Sequence, residues 1–301
     1  MKKNIPETKF AQSNGLVLAY DSFGDPSAEP LLLVMGLGMQ MTCWEEDFCR
    51  SLVARGYYVI RFDNRDIGLS THLSQAGLPD IKALMMRALI GLDIAPASVP
   101  YTLTDMAVDT VGLVGALGIH RAHMVGASMG GAIAQEIALR YPERVRTLVS
   151  IMATSGAPGL PPPRAAAMSV LMSPAPRDRK GYIERYQQIM RVLRDGRFPE
   201  EERHDPERAG RAFDRGINPA GSTRQLAAVL ASGSRKARLA SLKTPTLVIH
   251  GERDPLIPIE CGKDVADTVP GARMVAIRNM GHALPRAAWP QIADAIAAHT
   301  I

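Results

Sequence analysis

Aromatic side chains are scarce in this sequence, 5% of 301 residues with two tryptophans. Its interior must be filled with aliphatic residues and with 15 methionines, whose flexible thioethers suit irregular gaps. Cysteine is scarcer still: Cys43, Cys49 and Cys261 are odd in number and scattered, which excludes a disulfide framework. They read as reduced, weakly reactive thiols of a cytoplasmic protein. No apolar run is long. Leu31–Leu37 and Ala83–Leu92 fall short of the ~20 residues that span a bilayer, so no stable membrane insertion is expected. The lysines Lys2 and Lys3 have no apolar stretch behind them and do not read as a signal peptide. There is no H-E-x-x-H, no cysteine pairing and no P-loop, so no metal, nucleotide, haem or other cofactor is expected. Hydrophobic residues at 46% and charged residues at 22% exclude a disordered chain.

The charge is uneven. The net value is +5, yet 16 Arg and Lys against 9 Asp and Glu crowd residues 161–240, leaving the rest slightly acidic. In that stretch arginines alternate with acids, as in Arg203-His204-Asp205-Pro206-Glu207-Arg208, which suits a solvated helix face rather than a nucleic-acid surface.

The chain opens as a hairpin, Thr8–Ala11 and Leu16–Tyr20 around Ser13-Asn14-Gly15. The continuous apolar run Leu31–Met35 suits a strand covered on both faces, hence a parallel sheet. Strands and helices then alternate: helix 44–54, strand Tyr58–Phe62, helix 105–117, strand His123–Gly126, helix Met129–Arg140 and strand Thr147–Met152. This rhythm predicts a doubly wound α/β sheet. It breaks at Gly156-Ala157-Pro158-Gly159-Leu160-Pro161-Pro162-Pro163, after which helical pattern runs without strands over 180–195, 206–215 and 223–231. Strands resume at Thr246–His250 and Arg273–Ile277 before a last helix over 285–299. Residues 1–153 and 241–301 therefore form the expected core, and 154–240 a helical insertion.

Gly126-Ala127-Ser128-Met129-Gly130 fits the G-x-S-x-G turn that lifts a nucleophilic serine between a strand and a helix. Small residues two before and two after Ser128 are needed because larger ones would collide in so sharp a turn. A hydroxyl near neutral pH needs a base. Among seven histidines His282 is the candidate, in Asn279-Met280-Gly281-His282-Ala283 after the last strand, where sites of open α/β sheets form. His250 reads as buried in the sheet, His120 and His123 bracket a strand start, and His72, His204 and His299 read as surface residues. Asp254 in Gly251-Glu252-Arg253-Asp254-Pro255 is the acid expected to orient the imidazole, preferred to Glu252. Oxyanion donors are expected from the N–H of Met129 and from the loop Gly36-Leu37-Gly38, with Leu37 preferred to Gly36.

Together these segments, with Arg61-Phe62-Asp63-Asn64-Arg65-Asp66-Ile67-Gly68-Leu69-Ser70, resemble the α/β-hydrolase fold family along nearly the whole chain. The resemblance implies that 154–240 is a helical cap over the pocket. Met35-Gly36, Asn218-Pro219 and Arg224-Gln225-Leu226-Ala227 are similar to the bacterial serine esterase branch that includes aclacinomycin methylesterase, which implies ester hydrolysis. Where the family usually has His-Gly, this chain has Met35-Gly36; the backbone donor survives but the histidine's contacts do not. The expected reaction is cleavage of a small-molecule carboxylic ester through an acyl-enzyme. Lactone, amide or carbon–carbon hydrolysis, cofactor-free perhydrolysis and a non-catalytic ligand sensor are the alternatives. Residues Ile81–Ile90 form an amphipathic stretch, read as packing on the insertion in preference to an interfacial lipase lid. A homodimer is compatible with the sequence but not required by it.

Overall fold

The structure is a computed structural model and describes residues 6–300. Eight strands make one sheet in the order β1-β2-β4-β3-β5-β6-β7-β8. Lys9–Ser13 (β1) and Leu16–Phe23 (β2) form the expected hairpin, and both turn residues, Asn14 at φ 51° and Gly15 at φ 75°, take the left-handed backbone such a two-residue loop requires. β2 runs antiparallel to Tyr57–Phe62 (β4). All later pairings are parallel, through Glu29–Val34 (β3), Ala122–Ala127 (β5), Val145–Ile151 (β6), Thr246–Gly251 (β7) and Arg273–Ile277 (β8).

Both faces of this sheet are covered. Leu32 and Val34 turn to Leu103–Ala116 (α3) and Met129–Arg140 (α4), while Leu31 and Leu33 turn to Glu46–Val53 (α1) and Trp289–Thr300 (α11). The two-residue alternation of strand side chains thus feeds two apolar layers, and this is why β3 is an unbroken apolar run. Helix α3 begins where Thr102 and Asp105 cap each other's backbone N–H groups, slightly earlier than its apolar pattern suggests.

Between β6 and β7 lie five helices and no strand among the described residues: Ala165–Met172 (α5), Arg179–Leu193 (α6), Asp205–Arg215 (α7), Pro219–Ala231 (α8) and Lys236–Leu239 (α9). Ile81–Leu89 (α2) packs on α8 through Leu84, Ala227 and Ala231, with Met86, Leu89 and Ile90 left exposed. Helices α5 and α9 escape the sequence pattern, and so does Ile259–Thr268 (α10). Its Gly262 weakens the helical signal, but a Cβ there would lie 2.3 Å from Nδ1 of the His250 ring.

Two expectations need correction. The arginine-rich face of the insertion is not simply solvated: Arg208 reaches Glu45 at 2.5 Å, Arg211 reaches Glu46 at 3.0 Å, Arg215 reaches Asp63 at 2.5 Å and Arg224 reaches Asp66 at 2.7 Å. Arg208 also pairs with its chain neighbours Glu201 and Asp205, but the partners just named stand far away on the core, where no charge pattern along the chain reveals them. His299 is likewise buried, facing the Pro245 carbonyl at 3.2 Å, and His204 is half-buried beside Arg286.

Candidate active site

Small residues make the turn at Ser128 feasible. A Cβ at Gly126 would lie 2.1 Å from the Gly130 carbonyl oxygen, and one at Gly130 would lie 2.1 Å from the Val34 carbonyl oxygen. No side chain fits at either position. Ser128 itself has φ 56° and ψ −122°, a backbone that L residues rarely adopt and that costs ~1–3 kcal/mol. The strain raises its hydroxyl above the carboxyl edge of the sheet at the start of α4. Met152, at the end of β6 on the same edge, is also left-handed at φ 41°, and nothing in its sequence signals this.

Two loops complete the arrangement. The Ser128 hydroxyl lies 2.9 Å from Nε2 of His282, and Nδ1 of His282 lies 2.7 Å from Oδ2 of Asp254. A carboxylate only accepts, so the proton sits on Nδ1 and the Nε2 lone pair faces the hydroxyl. Asp254 Oδ1 accepts from the N–H groups of Leu256 at 2.9 Å and Ile257 at 2.8 Å. Burial alone would raise this carboxyl, but the facing His282, the nearby His250 and the Ile257 N–H outweigh it and hold it well below the usual carboxylate range. Glu252 is exposed and takes no part. His250 is fully buried as expected, with Nε2 2.8 Å from the Ile257 carbonyl and 3.6 Å from Asp254, so it braces the loop that carries the acid.

Beside Ser128 runs the loop after β3. Gly36 stands so close that a Cβ there would be 3.2 Å from the Ser128 Cβ. The N–H of Gly38 is turned away to Oε1 of Gln225 at 2.9 Å. Among the described residues the N–H of Leu37 meets no backbone acceptor, and that of Met129, first in α4, has none within the helix. Sequence reasoning missed what holds this loop. Asn64 Nδ2 donates to the Met35 carbonyl at 2.9 Å, and the buried Gln225 also donates to the Arg65 carbonyl at 2.9 Å. These amides steady the loop that follows β3.

A second imidazole–hydroxyl pair lies at the opposite edge of the sheet, His123 Nδ1 and Thr147 Oγ1 at 3.0 Å. Burial pushes His123 down to about 4, and its nearest acid, Glu29, is 3.9 Å away and exposed. That pair lacks both an orienting carboxylate and a strained nucleophile. The three cysteines are free, and burial pushes Cys43 up to about 11, Cys49 to about 12 and Cys261 to about 11, so none is a competing nucleophile near neutral pH. Among the described residues no cluster of His, Cys, Asp and Glu is arranged to hold a metal, and no helix is long and apolar enough to cross a membrane.

A family profile described as the alpha/beta hydrolase fold matches residues 29–285. Rhodomycin D methylesterase DnrP of Streptomyces peucetius is 32% identical over 97% of this chain and 98% of its own. A 2-hydroxymuconate semialdehyde hydrolase of Pseudomonas sp. CF600 is 31% identical over 68% of this chain and 69% of its own. In three dimensions the esterase RhEst1 of Rhodococcus sp. ECU1013 superposes with a TM-score of 0.72 at 20% identity, covering 97% of this chain and 99% of that one, and so shares the fold.

Proposed function

Because this chain belongs to the alpha/beta hydrolase fold family, we propose that it is a serine hydrolase that cleaves a carboxylic ester through an acyl-enzyme. The observation that carries this reading is the unbroken hydrogen-bond chain from the strained Ser128 through His282 to the ionised Asp254. Ser128 attacks the ester carbonyl while His282 Nε2 takes its proton. Asp254 keeps the imidazole in the working tautomer and stabilises its charged form. The N–H groups of Leu37 and Met129 are the donors assigned to the oxyanion. His282 then protonates the departing alcohol, and the same base activates water to release the acid.

Residues 154–240 serve as a helical cap over the core of 1–153 and 241–301 in this reading. Support comes from Gln225, Arg215 and Arg224, all in that segment, which contact the loops on the carboxyl edge of the sheet. The similarity to a rhodomycin D methylesterase over nearly the whole chain makes a methyl ester the first substrate class to assay. A panel of carboxylic esters varying acyl bulk and alcohol size, run with wild type and Ser128→Ala, tests the function. Turnover that favours small alcohols and vanishes in the variant is expected. Turnover of every ester at wild-type rate by Ser128→Ala would refute it.

A further inference from the structure

We propose that Asp195, at the corner where α6 ends, is a positioning residue for His282 and Asp254; the inference rests on the triad reading above. Helix α6 closes with a reversed turn, in which the Asp195 N–H donates to the Val192 carbonyl at 3.0 Å and the Gly196 N–H to the Arg191 carbonyl at 3.2 Å. Both residues are left-handed, at φ 55° and 65°. Gly196 takes that backbone freely. An aspartate tolerates it at some cost, and helix ends of this kind favour glycine or asparagine. Something beyond the turn keeps an acid there.

Its contacts supply the reason. Asp195 Oδ2 accepts from Arg253 Nε at 2.6 Å, and Oδ1 from Arg164 Nη1 at 2.8 Å. Arg253 immediately precedes Asp254. Two residues before Asp195, the Leu193 carbonyl accepts the His282 N–H at 2.7 Å. Gly281 permits this approach, since a Cβ there would lie 2.2 Å from the same carbonyl oxygen. The acid loop and the base loop are stitched to each other by the Arg253 N–H and the Met280 carbonyl at 3.0 Å. The corner is anchored in turn, because the buried Arg194 pairs with Asp205 of α7 at 2.5 Å. One short corner therefore holds the residue beside the acid and the backbone of the base. Arg253 and Arg164 are 41% and 54% exposed, so solvent weakens their pairing, and the role lies in geometry rather than in charge energy. Local backbone strain retained where it fixes reacting groups is a recurrent feature of active sites.

Asp195→Gly separates positioning from folding, because it relieves the left-handed strain while deleting the carboxylate. The expected result is an unchanged or raised Tm, a kcat lower by about 10-fold and a KM within about two-fold of wild type, as befits a displaced base. Arg253→Met should show the same split. Asp195→Asn, which keeps an acceptor and suits the backbone, should recover part of the loss. The low-field proton resonance of the His282–Asp254 hydrogen bond should broaden in Asp195→Gly. Wild-type kcat with a sharp resonance in Asp195→Gly overturns the proposal, as does a kcat loss that merely follows the loss of Tm across the variants. Ser128→Ala keeps the two claims apart. If it stays active the triad reading fails, whereas an inactive Ser128→Ala beside a fully active Asp195→Gly removes only the role of Asp195.

Discussion

The sheet and the inserted helices are held by different forces. The sheet is sandwiched between aliphatic layers, such as Leu31, Leu33, Val59 and Val149 on one face and Leu32, Val34 and Ile60 on the other. Beside a small apolar contact of α8 with α2, the insertion grips the core through charged and amide contacts, of which Asp66–Arg224 is buried and Asp63–Arg215 and Glu45–Arg208 nearly so. Apolar layers are non-directional and tolerate small shifts, so they fix a fold but not a distance of tenths of an ångström. Bidentate ion pairs and buried amides are directional. They occur here where the inserted helices meet the loops after β3 and β4, and the Gly38 N–H beside Ser128 is one of the groups they hold.

The largest expected effect tests the site that both regions hold. Asp254→Asn should lower kcat by about 10⁴-fold, because the imidazole loses its working tautomer. The same carboxyl has a depressed pKa when folded, so its contribution to stability is present above the ordinary carboxylate pKa and is lost as pH falls toward the depressed value. Tm measured against pH should therefore fall more steeply on the acid side for wild type than for Asp254→Asn. Next in size is the contact between the inserted helices and the core. Arg224→Met leaves Asp66 buried and unpaired and should cost about 3–5 kcal/mol in denaturant unfolding. Asp66→Asn together with Arg224→Met should recover most of that, since the Asn carbonyl still accepts from the Leu73 N–H and its NH2 can donate to the Tyr101 hydroxyl oxygen. If Arg224→Met alone is harmless, the contrast between the two regions is wrong. A smaller effect is expected of Gln225→Leu, which frees the Gly38 N–H and should reduce kcat by about 10-fold in steady-state assays. Smallest is Arg179→Ala: its pair with Asp214 is exposed on both sides, and thermal unfolding should not register the change.

The same contrast explains what could be read without coordinates. β3, β5 and β7 and the turn at Ser128 were legible because their signals are local: an apolar run, or glycines at fixed offsets from a serine. His282 and Asp254 followed from strand order alone. Arg224 and Gln225 stand out in the sequence as part of a helical stretch and of a family resemblance, but not by their contacts, because their partners Asp66, Gly38 and Arg65 are 158, 187 and 160 positions away. Charge alternation in the insertion pointed to solvent for the same reason. α10 stayed hidden because Gly262 serves the His250 ring beneath it, a constraint no window along the chain contains. Asp195 stands in the sequence only as the last position of the helical pattern over 180–195, because its partner Arg253 is 58 positions away.

Reaction of the folded protein with a fluorophosphonate, followed by peptide mass spectrometry, probes the activated hydroxyl without any knowledge of the substrate. One adduct per chain on Ser128, formed rapidly by wild type and at a small fraction of that rate by His282→Ala, is the predicted outcome. An unlabelled Ser128, or equal labelling in both proteins, would contradict the account.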